Sequence, residues 1–198
     1  MAIGGKFDIN AISAKIMNSR KVNVALEKRA KEVFEKNKKK VIEEFQKSSI
    51  TQEIKAGPSS GNTSGALGGY GNLFSYIGFY SEEDPIEAVA NYLKNLQFYG
   101  RRTRARYRRG QISVSYSIRW YDLDTIEDLS VMPWESGNSW IRGIEQGISG
   151  YSNYMYGTYI KSRSGKGQQT KSKVNLAPTF TPRRYLPTMI KDAERKMR

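Results

Sequence analysis

The chain has 198 residues and a formal net charge of +14, and it contains neither histidine nor cysteine. Without an imidazole or a thiol, it lacks the side chain that titrates nearest neutral pH, the commonest nucleophile–base pairs and most sets of zinc ligands. This composition favours a binding or structural role over catalysis, and we expect no enzymatic activity and no cofactor.

The bulk composition predicts a protein that is made in the cytoplasm, and its excess of Lys and Arg either favours a polyanionic partner or only makes the surface more soluble. A chain of this length buries about 70% of its unfolded surface and needs no disulfide or metal to do so. The N-terminal residues lack the apolar core of a signal peptide, and no stretch approaches the roughly 18 apolar residues of a membrane span. The basic balance favours nucleic acid, an acidic protein surface or anionic lipid, and of these we expect the first two and no membrane.

The N-terminal part of the sequence predicts a long amphipathic helix from Asn18 to Lys47. Apolar residues recur there at three- and four-residue steps and form one narrow stripe, which Asn37 interrupts. Glu and Lys residues four positions apart, in the favourable order, support the helix. We expect the stripe to pack on a sheet face or on a neighbouring helix. The stripe consists of Val22, Leu26, Ala30, Val33, Val41 and Phe45.

Three segments after this helix carry different signals. Residues Ile50–Lys55 predict a short strand, and the aromatic run Leu73–Tyr80 is also β-prone. Between them, Gly57–Asn72 is rich in Gly and Ser and too long for an ordinary loop, which predicts a flexible arm. Asp84 and Pro85 then supply the cap and the first residue of another helix.

Residues Arg101–Tyr121 predict a β-hairpin, which forms a basic ribbon. In the second arm apolar residues alternate with serines, the pattern of a half-buried strand, and the turn falls near Arg109. In the first arm every second residue is arginine, which predicts four arginines on one face. No acidic residue occurs between Glu87 and Asp122, so nothing in this stretch neutralises their charge. The four arginines are Arg102, Arg104, Arg106 and Arg108.

Three roles are open for this ribbon. Guanidinium groups bind phosphate oxygens and carboxylates alike, so the ribbon either contacts nucleic acid or docks on an acidic protein neighbour. The third role is a charged sheet edge that prevents unwanted strand pairing. The residues expected to contact a polyanion or a neighbouring subunit are Arg101, Arg102, Arg104, Arg106, Arg108, Arg109 and Lys166.

The C-terminal half predicts further helices and strands. Trp134–Gly157 favours a helix, Tyr159–Leu176 two short strands around a mobile basic loop, and Pro187–Arg198 a basic helix. The order of elements predicts an α+β fold: a mainly antiparallel sheet packed by the long N-terminal helix and further helices, with extended loops or arms. We expect residues 1–198 to form a single structural domain.

Two motifs suggest an active site, but neither has the complete pattern that such a site needs. Gly165-Lys166 is not a phosphate-binding loop, because Ile160 and Gly167 occupy the positions where that loop needs a glycine and a hydroxyl residue. Acidic residues cluster at 82–84 and at 122–128, and two-metal nucleases use such residues. A helix start accounts for the first cluster and a short polar connection for the second, so we do not expect a nuclease.

Two short runs stand out near the middle and the end of the chain. The first is Gly71–Phe79 (GNLFSYIGF), followed by Asp84–Ile86 at the start of a helix. The second is Phe180–Leu186 (FTPRRYL), which leads into the last helix. Both resemble tailed-bacteriophage neck proteins, the head–tail connector or tail-completion family. The chain departs from that family at Thr179, where proline usually precedes the phenylalanine.

The resemblance implies a virion structural protein that forms a homo-oligomeric ring at the phage neck. The implied partners are portal or adaptor proteins, tail proteins and, without sequence specificity, DNA in the channel; the implied location is the virion, assembled in the host cytoplasm. We expect the arm Gly57–Asn72 to reach a neighbouring subunit. The alternative function is a basic nucleic-acid-binding protein of ribosomal or DNA-packaging type. The residues expected at the subunit interface are Tyr70, Leu73, Phe74, Tyr151, Tyr154 and Tyr156, since aromatic side chains suit such contacts.

Overall fold

The computed structural model describes residues 9–67, 71–108, 111–133, 135–147, 163–164 and 180–197. Helices and two antiparallel strand pairs alternate along this part of the chain, which confirms the predicted α+β class. Among the described residues, the strands form two two-stranded antiparallel sheets, β1 with β2 and β3 with β4, where one sheet was predicted. The described helices do not include one that has the length and apolar character to cross a bilayer.

The described part of the chain contains eight α-helices, one 3₁₀ turn and four strands. The helices are α1 (Ile9–Asn18), α2 (Arg20–Lys47), α3 (Ser49–Lys55), α4 (Leu73–Ile77), α5 (Pro85–Asn95), α6 (Leu123–Asp128), α7 (Trp140–Gln146) and α8 (Leu186–Met197), with a 3₁₀ turn at Gly57–Ser59. The strands are β1 (Gly100–Arg108), β2 (Gln111–Ile118), β3 (Val131–Met132) and β4 (Glu135–Ser139).

The described residues divide into two compact units. The smaller, here called the basic unit, consists mainly of the residues up to Asn37 together with Gln97–Trp120; the larger, called the core unit, consists mainly of Lys38–Leu96 and Tyr121–Lys196. In the sequence, the two segments of the basic unit contain 15 Lys and Arg against four Asp and Glu, a net charge of +11. The rest of the chain contains 18 against 15 and carries only +3. The predicted single domain stays a prediction.

Helix α2 confirms the predicted long helix, and a separate helix, α1, precedes it. Its apolar stripe is fully buried at Phe34, Val41 and Phe45. Asn37 lies in the same stripe, and its Nδ2 donates a hydrogen bond of 2.8 Å to the Val33 carbonyl one turn earlier. The amide of this buried polar residue is therefore hydrogen-bonded within its own helix, which lowers the cost of burying it.

Two segments that were predicted as strands are short helices. Residues Ile50–Lys55 lie in α3, whose buried residues are spaced as on one helix face. The run Leu73–Tyr80 begins with α4, in which all five residues are buried. β-Branched and aromatic residues favour strands in sequence, and a helix that is buried on every side lacks the polar–apolar period that would identify it.

The predicted helix Trp134–Gly157 is also shorter in the structure. It begins at Trp140, because the five residues before it form strand β4, and the Ser139 Oγ accepts a hydrogen bond of 3.2 Å from the Arg142 backbone N–H as the cap. The residues after 147 in this segment lie outside the described part of the chain, as do all of the predicted strands at 159–176 except 163–164. The predicted C-terminal helix is confirmed as α8.

Capping residues fix the ends of α4 and α5. The Asn72 Oδ1 accepts a hydrogen bond of 2.8 Å from the Ser75 backbone N–H, and Gly78 ends α4 with a left-handed φ of 87°. The predicted cap at Asp84 is confirmed, since its Oδ1 accepts from the backbone N–H groups two and three residues later, at 3.0 and 3.2 Å. Asn72 and Asp84 therefore fix where α4 and α5 begin, and Gly78 fixes where α4 ends.

A buried carboxylate ties the segment Gly57–Asn72 to the core unit. Glu53 is 1% exposed; its Oε2 accepts a hydrogen bond of 2.6 Å from the Ser64 backbone N–H, and its Oε1 accepts one of 2.7 Å from that of Leu73. Leu67, in the same segment, is 2% exposed. The described part of the predicted flexible arm is thus hydrogen-bonded and packed, and its reach to a neighbouring subunit stays a prediction.

The C-terminal segment completes the aromatic core of the core unit. The fully buried ring of Tyr185 lies 5.8 Å from that of Phe45 and 6.2 Å from that of Trp140, between ring centroids. The Glu145 Oε1 accepts hydrogen bonds from the backbone N–H groups of Tyr185, at 2.7 Å, and of Thr188, at 2.9 Å. This carboxylate therefore gives the free N–H groups at the start of α8 a hydrogen-bond acceptor, and its negative charge interacts favourably with the positive end of the helix dipole.

Alkaline pH is expected to destabilise this core through Tyr185. Burial raises the pKa of its phenol above the ordinary value of about 10, an effect that a 2.8 Å hydrogen bond with the Thr51 hydroxyl opposes. Above about pH 10 the unfolded chain loses this proton and the folded chain keeps it, so the free energy of unfolding falls by about 1.4 kcal/mol per pH unit.

Urea denaturation of the wild type and of Tyr185→Phe, between about pH 9 and pH 11, measures this contribution. The variant should lose stability less steeply as the pH rises. Equal slopes for the two proteins would contradict the assignment to Tyr185.

Candidate polyanion interface

The predicted hairpin is confirmed, and its strand register decides which arginines share a face. Strands β1 and β2 pair antiparallel, and the register shifts by one residue between Arg102 and Arg104, so that Thr103 forms a β-bulge. The Thr103 hydroxyl donates a hydrogen bond of 3.2 Å to the Ser115 carbonyl across the pair. The paired positions are Gly100 with Ile118, Arg101 with Ser117, Arg102 with Tyr116, Arg104 with Ser115, Ala105 with Val114, Arg106 with Ser113, Tyr107 with Ile112 and Arg108 with Gln111.

The bulge changes the predicted set of arginines. Directly opposite residues in an antiparallel pair share a face, and neighbours along one strand lie on opposite faces. Arg102 pairs with Tyr116 and lies on the face of the apolar residues, whereas Arg101 pairs with Ser117 and lies on the serine face. The prediction that Arg102 joins the other three is therefore wrong. The face that we call the arginine face contains positions Arg101, Arg104, Arg106 and Arg108.

Helix α2 contacts the base of the hairpin and one residue of its apolar face. The ring of Phe34 on α2 makes edge contacts with Phe98 and with Trp120, which flank the strands, each at a centroid distance of 5.5 Å. The Arg102 Nη1, on the apolar face, donates a hydrogen bond of 2.7 Å to the Asn23 Oδ1 on the same helix. Arg101, Arg104 and the serines of β2 are exposed, whereas the described apolar residues of β2 are half-buried, so the arginine face is open to solvent at these positions.

One further pair extends the arginine face beyond the strands. The Arg119 backbone N–H donates a hydrogen bond of 2.9 Å to the Tyr99 carbonyl, so these residues form the next step of the ladder. Both side chains are exposed, Tyr99 to 73%. The sequence prediction of contact residues included neither of them. The signal was present, because Arg119 continues the alternation of Ser113, Ser115 and Ser117.

An open groove of about 720 Å³ lies at the base of the hairpin, within the basic unit. Guanidinium and hydroxyl groups, together with the exposed Tyr99 ring, offer hydrogen-bond donors to an anion there. The lining residues that the structure describes include no acidic side chain. They are Tyr99, Arg101, Arg102, Thr103, Ser117, Ile118 and Arg119.

The other predicted contact residues fall into three groups. Leu73 and Phe74 are fully buried in the core unit, so the prediction that they lie at a subunit interface is wrong: the chain's own packing covers their side chains. Arg106 and Arg108 are backbone positions of β1 on the arginine face. Outside the described residues lie Tyr70, Arg109, Tyr151, Tyr154, Tyr156 and Lys166.

The acidic clusters stabilise local structure. Asp122 caps α6, since its Oδ2 accepts a hydrogen bond of 2.7 Å from the Thr125 hydroxyl and its Oδ1 one of 3.3 Å from the Asp124 backbone N–H. Glu127 forms an ion pair of 3.2 Å with Arg142. Within the described part of the chain, no group of three or more His, Cys, Asp or Glu is placed so that it could hold a metal ion.

Comparisons with protein-family models, curated proteins and solved structures give no match to this chain. The runs Gly71–Phe79 and Phe180–Leu186 lie in the core unit and contact each other. The rings of Tyr76 and Phe180 stack with centroids 5.7 Å apart and planes 5° apart, and Leu67 forms a β-bridge with Phe180. Both runs thus help to build the core unit, whereas the arginine face belongs to the basic unit.

Proposed function

We propose that this chain is a structural protein of a tailed-bacteriophage neck, where its copies form a ring that joins the portal or connector to the tail. The observation that carries the proposal is that the two runs compared with neck proteins, Gly71–Phe79 and Phe180–Leu186, pack directly on each other, since Tyr76 stacks on Phe180. Because both runs build the same core, their occurrence together in one sequence has a structural reason. In this proposal the chain is not an enzyme and takes no cofactor.

The division of the chain supports a role in assembly. The core unit supplies a packed scaffold, and the basic unit presents an exposed, strongly positive surface. A closed ring needs two different patches that meet on successive copies. The proposed partners are further copies of the chain, portal or adaptor proteins, tail proteins and channel DNA, and the proposed location is the virion after assembly in the host cytoplasm.

The charge distribution favours a second candidate function, a basic nucleic-acid-binding protein of ribosomal or DNA-packaging type. The segments of the basic unit carry +11 of the total net charge of +14. A surface of this kind binds nucleic acid through phosphates without sequence preference. Both candidate functions use the arginine face. They differ in the complex that contains the protein, which is a phage particle for the first candidate and a ribosome or packaged DNA for the second.

Locating the protein in infected cells separates the two candidates. Phage particles purified from cells that express the gene are analysed by mass spectrometry, beside the ribosome and nucleoid fractions of the same lysate, and native mass spectrometry of the purified chain gives its oligomeric state. The neck proposal expects several copies per particle and a closed oligomer. Enrichment in ribosomes or nucleoids with none in particles would support the second candidate instead.

A further inference from the structure

We infer that the arginine face binds the phosphate backbone of double-stranded DNA without sequence preference. The face is here defined by the positions Arg101, Arg104, Arg106 and Arg108, extended by the pair of Tyr99 and Arg119. This inference deepens the proposed neck function, which includes channel DNA among several partners, by assigning the DNA contact to this face, and it rests on that function for the presence of DNA. The register, charge and exposure of the hairpin support it.

The register places the arginine positions of this face at regular steps along β1. Beyond the bulge, successive arginine positions on β1 are two residues apart, which is about 6.8 Å along an antiparallel strand. Ser113 and Ser115 lie opposite them on β2, and Gln111 lies opposite the last. Arginine, serine and glutamine all donate to phosphate oxygens, which receive most protein–DNA hydrogen bonds. A two-stranded ribbon also fits the B-DNA major groove, which is about 12 Å wide.

The local charge favours a polyanion that is regular along its length. The sequence from Ala88 to Tyr121 contains no acidic residue, so it offers these arginines no carboxylate. Carboxylates on an acidic protein surface are irregularly placed, whereas duplex DNA carries one negative charge per about 1.7 Å of axis. A regular row of guanidinium groups therefore finds more partners on DNA than on an acidic protein.

The base of the hairpin adds contacts of the same chemistry. Tyr99 is 73% exposed beside Arg101 and Arg119 in the open groove, and tyrosine hydroxyls donate to DNA phosphates as well. The groove is thus continuous with the arginine face. We expect the DNA backbone to run along the ribbon toward this groove.

Helix α2 provides a matched control within the basic unit. Lys21 and Lys28 are exposed on this helix, as Arg101 and Arg104 are on the arginine face. If the face binds DNA, neutralising Arg101 and Arg104 removes phosphate contacts, and neutralising Lys21 and Lys28 does not.

Fluorescence anisotropy with a labelled duplex DNA of mixed sequence tests this inference on the full chain. Five phosphate contacts give a slope of log affinity against log salt of about −4.5, a loss of roughly 500-fold between about 50 and 200 mM salt. The double variant Arg101→Gln/Arg104→Gln should bind at least about tenfold more weakly and show a slope smaller in magnitude by about two. Lys21→Gln/Lys28→Gln should stay near the wild type, and thermal melts should show all three proteins folded.

Three outcomes would overturn the inference. The first is equal loss of affinity in Lys21→Gln/Lys28→Gln and in the arginine double variant, and the second is DNA affinity that does not change with salt. The third is tighter binding to polyglutamate than to DNA at equal charge, which would assign the face to an acidic protein. None of these results concerns the presence of the chain in phage particles, so a failure here differs from a failure of the neck proposal.

Discussion

Replacement of Glu53 by alanine is expected to lower the free energy of unfolding by about 3 kcal/mol or more. The carboxylate is buried and accepts hydrogen bonds from the backbone N–H groups of Ser64 and Leu73, at 2.6 and 2.7 Å. Alanine would leave these two donors without their partner, and the Leu73 donor is buried. Because Leu73 begins α4, the loss would also weaken the packing of the aromatic residues in that helix.

Two further variants separate the hydrogen bonds from the charge. Glu43→Ala removes an exposed carboxylate, whose oxygen lies 3.9 Å from the Lys39 Nζ, and should change stability by about 0.5 kcal/mol or less. Glu53→Gln keeps the shape of the side chain but replaces one acceptor oxygen with an N–H₂ donor. Its loss of stability should therefore lie between those of Glu53→Ala and Glu43→Ala. Urea denaturation followed by circular dichroism gives all three values. Similar small losses for Glu53→Ala and Glu43→Ala would show that Glu53 does not hold this segment.

The parts of the fold that the sequence predicted are those with a visible period or a specific cap. Helix α2 has a clear apolar stripe, and Asp84 with Pro85 marks the start of α5. Helix α4 was missed because all five of its residues are buried, so it shows no polar–apolar period. Helix α3 buries one face only, but its seven residues are too few for the helical period to identify it. The role of Glu53 was missed for a related reason: its partners are backbone groups 11 and 20 residues later.

The candidate site was predicted in part. Alternation located the hairpin and its arginines, but it could not show the bulge at Thr103, which depends on how β1 pairs with β2. The bulge moves Arg101 onto the solvent face and Arg102 onto the face that packs on α2. Leu73 and Phe74 were assigned to an interface because aromatic and apolar residues suit both interfaces and cores, and the sequence does not separate the two.

Charge reversal on the arginine face is expected to abolish duplex DNA binding and leave the fold intact. The double variant Arg101→Glu/Arg104→Glu lowers the net charge by four, from +14 to +10, and both positions are exposed. It removes two phosphate contacts and adds two groups that repel phosphate, so we expect the affinity to fall by about a thousandfold near 100 mM salt. Anisotropy with the same labelled duplex measures the affinity, and a thermal melt measures the stability.

The control is a second double variant with the same net charge. Lys21→Glu/Lys28→Glu also changes two exposed residues of the basic unit, but both lie on helix α2 and not on the arginine face. Salt near physiological strength screens charges over about 8 Å, so lysines outside the arginine face contribute less than arginines that contact phosphate directly. We therefore expect this variant to bind within about threefold of the wild type. Equal losses in both double variants would mean that the total charge of the chain, and not the geometry of the ribbon, determines its affinity for DNA.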